Sequence, residues 1–294
     1  MDVYRAAVAS TERYHHAEGP TWDSRTGHLL WVDQYVGHVH VGTWDGRHLI
    51  AERSYDLGAP VGAVVPERSG SGWVAAAGRG FVRLDRDGTV TELAPAPATP
   101  GHRMRMNDGG CDPSGRFWAG DIAFDKTPGV AALYRLETDL AVTTVLSGVT
   151  ISNGIGWVDG GATMYYIDTP TDRVDRFRVT ADGRLTDRAV LAEVTGGSPD
   201  GMTLDDRGCL WVAVWGAGAV HRYAPDGTLL AAVEVDAPQV SSCAFGGDDG
   251  RTLFITTSQE GYDDTESSAH PNAGRVFAAD VGVSGPPAAP FGAP

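Results

Sequence analysis

Residues 198–215 read SPDGMTLDDRGCLWVAVW. Pro199 has no N–H to donate and Gly201 accepts positive φ, so Asp200 sits in irregular chain just before a strand. Met202 and Leu204 alternate with Thr203 and Asp205, the pattern of a short half-buried strand. Asp206-Arg207-Gly208 is a turn, and Cys209 to Trp215 then runs apolar without a break, as a strand covered on both faces does. The unit is a carboxylate at the mouth of a β-hairpin.

The chain repeats this unit. Copies open at residues 19 (GPTWD), 62 (GAVVP), 107 (NDGGCD), 153 (NGIGWV), 200 and 242 (SCAF), each followed by a polar turn and a second strand holding Trp, Phe or Tyr. The steps run from 42 to 47 residues, within the about 40–50 residues of β-propeller blades. Most copies continue into a third strand, such as Gly80–Leu84 or Ala219–Tyr223, and Asp-Gly turns at 87, 182 and 226 lead to a fourth. The pattern predicts an all-β, six-bladed propeller of four-stranded blades. The last copy is one strand short after Arg275–Ala279, so the spare strand Val3–Ala9 is expected to pair with the last blade and close the ring. Residues 1–283 then form one domain, residues 284–294 a Pro/Gly/Ala-rich tail, and 259–273 a flexible surface insertion.

Composition agrees. With 39 Gly and 17 Pro in 294 residues, turns are frequent and helical periodicity is scarce. A formal charge of −15 with no basic cluster excludes nucleic acid and disfavours an anionic membrane surface. A small neutral ligand or a cation is the easier partner. No apolar run approaches the roughly 18 residues of a membrane span, and MDVYRAAVAS lacks the pattern of a signal peptide, so a cytoplasmic location is expected; no long apolar surface stripe stands out, so a monomer is expected. Cys111, Cys209 and Cys243 are too few and too scattered for a disulfide framework or zinc ribbon, and read as small buried hydrophobes. There is no G-x-S-x-G elbow and no dinucleotide fingerprint.

In a propeller, the residues just before the innermost strands meet near the axis. Here those are Glu18, Asn107, Asn153 and Asp200. Each alone reads equally as a turn former before Gly. Together they are a hard, all-oxygen donor set that suits Ca²⁺, Mg²⁺ or Mn²⁺ better than a structural zinc.

The stretches AEGPTWD (17–23), RMNDGGCDPSGRFWAG (105–120), ISNGIGW (151–157) and SPDGMTLDDRGCLWVA (198–213) resemble the SMP-30/gluconolactonase/regucalcin family, in order and at its spacing. The resemblance implies a six-bladed propeller that holds one divalent metal ion (Ca, Mg, Mn, Zn or Fe) and hydrolyses sugar lactones to aldonic acids. It implies Glu18, Asn153 and Asp200 as metal ligands, Asp200 also as general base, and Arg105 and Asn107 as substrate contacts. Asp125 falls where relatives carry a Glu that contacts sugar hydroxyls, one methylene longer. His15 and His16, near Glu18, are not part of the motif. The alternatives are an esterase or lactonase acting on a non-sugar substrate, and a non-catalytic metal-binding propeller. Arg105 weighs against the last, since a pure cation site gains nothing from a positive neighbour.

Overall fold

The computed structural model describes residues 1–293; Pro294, the end of the expected tail, lies outside the described residues. Six sheets stand radially about an axis. In each, consecutive strands pair antiparallel from the centre outward, as in Ala17–Asp23, His28–Asp33, His38–Trp44 and Leu49–Asp56 of blade one. The innermost strands of blades two to six are Val61–Pro66, Met104–Cys111, Ser152–Val158, Ser198–Leu204 and Val240–Gly246. They touch in ring order, the sixth returning to the first. No helix is long and apolar enough to cross a membrane.

The ring closes through the N-terminal segment, as expected. Ala7–Val8 pairs antiparallel with Phe277–Asp280 and supplies the fourth strand of blade six. The segment also goes further than the repeat count foretold. Asp2–Arg5 pairs in parallel with Leu229–Glu234, giving blade five a fifth strand and covering its edge.

Apolar clusters lie between neighbouring blades. One joins Trp211 and Val233 of blade five to Phe245 and Phe277 of blade six, and another joins Trp118 of blade three to Met164 and Tyr166 of blade four. In the second strand of the blade-five hairpin, Leu210–Trp215, residues 210–214 are fully buried, as their unbroken apolar run requires, and Trp215 is half-buried. Beneath that hairpin Asp205 gathers its polar groups. It accepts hydrogen bonds from the backbone N–H of Arg207 and Cys209, from Trp211 Nε1 at 3.1 Å and from Arg222 at 2.5 Å. Asp112 repeats the device in blade three with Trp118 Nε1 and Arg116.

Asp205 has no side-chain exposure and Arg222 has 12%. Asp205→Ala therefore strands a nearly buried guanidinium and a buried indole N–H, and is expected to cost about 3–5 kcal/mol. Urea unfolding checks this, and a loss below about 1 kcal/mol would mean that the hairpin is held by packing alone.

The tail runs across the end of the ring where these hairpin turns gather. Ser284 O accepts from Asp206 N, Gly285 N donates to Gly250 O, Gly292 N donates to Gly115 O, and Phe291 is buried between blades two and three. The segment 259–273, read as flexible, instead holds a short helix, Asp264–Ala269. Asp263 and Glu266 start it as a reciprocal capping box.

Candidate active site

At the other end of the ring each innermost strand breaks register with its neighbour. The breaks fall between Glu18 and Thr21, Val61 and Ala63, Met106 and Gly109, Ser152 and Ile155, Pro199 and Met202, and Val240 and Ser242. A bulge leaves a residue out of the ladder and re-aims its side chain. Asn107, Asn153 and Asp200 are residues left out in this way, and Glu18 borders the first break. The glycine after a site residue permits the close approach of neighbouring strands. A Cβ on Gly154 would meet Asp200 O at 2.8 Å, and one on Gly201 would collide with the Ser242 side chain.

The loops into the innermost strands are tethered from below. Asp33, ending the second strand of blade one, accepts from the N–H groups of His15 (2.9 Å) and His16 (3.0 Å). Asp168 does the same in blade four for Thr150 and Ile151. Glu18 and Asn153 thus enter from fixed backbone.

A cavity of about 230 Å³ opens here, lined by Glu18, Arg105, Asn107, Asn153 and Asp200. All five are buried. A belt of hydrogen bonds orders its wall. Tyr35 Oη donates to Glu260 (2.8 Å), and Arg105 Nη2 donates to Tyr35 (3.0 Å). Arg105 Nη1 donates to Asn107 Oδ1 (2.7 Å), and Asn107 Nδ2 donates to Asn153 Oδ1 (2.8 Å). Asn153 Nδ2 donates to Thr169 (2.6 Å), whose hydroxyl donates to Pro199 O (2.8 Å) beside Asp200. The arrangement fixes both amides with their oxygens identified, because each Nδ2 is committed as a donor. Arg105 also lies 4.6 Å from the Tyr35 ring centroid.

The carboxylates are under electrostatic load. Burial pushes Glu18 well above the usual carboxyl range, and Asp200 and Asp108 add to it. Asp200 is raised by burial, then by Asp108 and Glu260, with Arg105 opposing. Burial lifts Asp108 to about 6. His16 is driven well below its ordinary value by burial and then by Arg105, so it is neutral; its Nδ1 lies 2.8 Å from Ser258 Oγ and its Nε2 3.9 Å from Glu18. Neither Glu18 nor Asp200 has an Arg or Lys ion-pair partner among the described residues. Two buried carboxylates without a counter-ion, beside an amide oxygen, make a donor set that a hard divalent cation fits. No three His, Cys, Asp or Glu gather as a metal cluster among the described residues; the third donor of this set is an amide.

Five of the six residues expected from the sequence meet here. Asp125 does not. It is exposed, its Oδ1 accepts from Thr127 N at 3.1 Å, and that turn holds its pKa below the usual range. Its neighbour Lys126 lines the cavity instead. Tyr35, Lys126, Thr169 and Glu260 were not anticipated. Each lies in a connection between the second and third strands of a blade. In an up-and-down blade that connection returns to the end from which the first strand starts, so blade topology was the signal that could have found them.

Residues 16–259 match the family described as SMP-30/Gluconolactonase/LRE-like region. The chain is 36% identical to regucalcin of Danio rerio over 98% of both chains. It is 33% identical to a 6-deoxy-6-sulfogluconolactonase of Pseudomonas putida, over 91% of this chain and 92% of that one. Among solved structures, regucalcin of Agrobacterium tumefaciens, described as a calcium-binding protein, superposes with a TM-score of 0.91 at 28% identity and covers 99% of each chain. Fold, blade order and sequence agree over almost the whole length, and the chain belongs to the SMP-30/gluconolactonase/LRE-like family.

Proposed function

We propose that this protein is a divalent-metal-dependent lactonase that hydrolyses a sugar lactone to the aldonic acid. The observation that carries the reading is the pair of buried carboxylates, Glu18 and Asp200, without an Arg or Lys ion-pair partner among the described residues, in a cavity also lined by Asn153 and Arg105. Its relatives support the substrate class: one is named for a sulfogluconolactone, and a solved relative is described as calcium-binding.

Glu18, Asn153 and Asp200 would hold the ion. When bound, it supplies Lewis-acid stabilisation of the carbonyl oxygen and lowers the pKa of a nearby water. Asp200 acts as general base, taking a proton from the attacking water as its oxygen bonds to the lactone carbon. The ring C–O bond then breaks, and that proton passes to the departing ring oxygen. Arg105, permanently charged and braced by Tyr35 and Asn107, holds substrate oxygens in place. Asn107 keeps Asn153 and Arg105 in register. Asp125, turned outward, is assigned no contact in this reading. The three cysteines are free, in keeping with the reducing cytoplasmic setting we assign to a monomer whose partner is the small lactone alone, without nucleic acid or membrane.

The test is acid release from aldonolactones by chelator-treated protein with and without Ca²⁺, Mg²⁺, Mn²⁺, Zn²⁺ or Fe²⁺. Turnover is expected to disappear on chelation and to return with at least one ion. Full activity in the stripped protein would overturn the metal dependence. A protein stabilised by metal that turns over no lactone would overturn the substrate class.

A further inference from the structure

Lys126 is the only lysine in a chain with 38 acidic residues, and it stands at the mouth of the cavity. Its place is built. Its N–H donates to Ala123 O at 2.8 Å, its φ is 55°, and Asp125 turns back to Thr127 N beside it. A non-glycine residue is held in the left-handed region only where its surroundings impose it. Here the turn carries the Asp125 carboxylate outward and leaves the lysine lining the cavity.

Lys126 is exposed and its ammonium has no ion-pair or hydrogen-bond partner among the described residues, while half of the arginines of the chain have found carboxylates. The second cation of the cavity is already engaged: Arg105 donates to Asn107, Met106 O and Tyr35 and stacks on the Tyr35 ring. The two ends of the site also differ in depth. Asn153 and Asp200 stand on buried bulges with Glu18 buried at the edge of another, and the exposed Lys126 stands on a connection between strands. The cavity, about 230 Å³, is smaller than the about 300–1,000 Å³ of drug-sized sites, and so suits a ligand no larger than a single sugar ring.

We propose that Lys126 is a specificity-determining contact that receives an anionic substituent, a carboxylate or a sulfonate, on the part of the lactone remote from the scissile ester. A compact ammonium with three unused N–H groups suits either anion. This rests on the lactonase reading above.

The experiment compares D-gluconolactone, D-glucarolactone of the same ring size and the analogue with a sulfonate on the same carbon, using metal-supplied wild-type protein, Lys126→Met and Lys126→Arg. Wild type is expected to prefer at least one anionic lactone by about tenfold or more in kcat/KM, the scale of one charge-assisted hydrogen bond. The preference resides in KM and shrinks as salt is raised. Lys126→Met brings the ratio to about one, and Lys126→Arg keeps part of it. The sulfonate arm tells which anion the site takes. Calorimetry with methyl glucoside and methyl glucuronide, which carry no lactone, reads the same contact without turnover. Hydrolysis without any anionic preference, or a preference that survives in Lys126→Met, overturns this inference and leaves the lactonase reading standing. A Lys126-dependent preference for the glucuronide in a protein that hydrolyses no lactone sinks the lactonase reading and upholds the anion site.

Discussion

Asp200→Asn lowers kcat by about 10²–10⁴-fold, the range expected when a positioned general base is lost, while the protein remains folded. Asn keeps the size of the side chain and its capacity to accept from the Gly201 N–H, but it cannot take a proton. Because Asp200 is also assigned to the metal, turnover alone does not separate the two roles. The metal-dependent rise in melting temperature does. If Asn still serves as an oxygen ligand, part of that rise survives while turnover is gone. The pH profile adds an independent reading. In wild type, kcat/KM falls on the acid side as the base protonates. The acid limb should be missing from the residual activity of Asp200→Asn. A variant with wild-type turnover, or one retaining the same acid limb, removes Asp200 from the base position.

The propeller was legible because its periodicity is imposed locally. Each blade needs a turn after its first strand and an aromatic in its second, and these recur at a spacing the chain cannot hide. Asp112 and Asp205 show why the spacing is tight: each sits six residues before the Trp whose indole it receives, so the carboxylate, turn and ring form one unit. The candidate residues Asn107, Asn153 and Asp200 were legible for the same reason, since each occupies the register break of its own strand, and Glu18 borders one. The rim was not. Tyr35, Lys126 and Glu260 lie in connections that obey no repeat, and only the direction of the strands around them brings them to the cavity. Asp125 shows the limit from the other side. A loop position can match while its side chain is turned away, because a hydrogen bond from Thr127 N two residues on decides the orientation. The N-terminal segment divided between two blades because both Phe277–Asp280 and Leu229–Glu234 had an edge to cover, and counting strands revealed only the first.

The cation-free protein should lose stability as pH rises, and Glu18→Gln should reduce that loss. The sign follows from proton counts. Glu18 has a folded pKa well above its unfolded value, so above about pH 4.3, the ordinary value for Glu, the folded state holds a proton that the unfolded chain has released. Stability then falls with increasing pH until the raised folded value has been passed. Asp200 acts in the same direction, and so does Asp108, whose window closes near its folded value of about 6. In chelator-treated wild type, the melting temperature is therefore expected to fall as pH rises above the ordinary carboxyl range, through the Asp108 value of about 6 and on toward the alkaline side. Gln at position 18 has nothing to ionise and also relieves the repulsion on Asp200, so its curve should be flatter and higher at the alkaline end. A divalent ion reverses the order, because it binds the folded state and favours both carboxylates in their charged form. Calcium should raise the melting temperature of wild type at about pH 8 and leave Glu18→Gln nearly unmoved, with ion affinity reduced by roughly 100-fold or more, given that outer partners of a metal ligand already cost 10–100-fold. If cation-free wild type were instead more stable at the alkaline end, the two carboxylates would have to be compensated within the protein itself, and the case for a cation between Glu18 and Asp200 would fall with it.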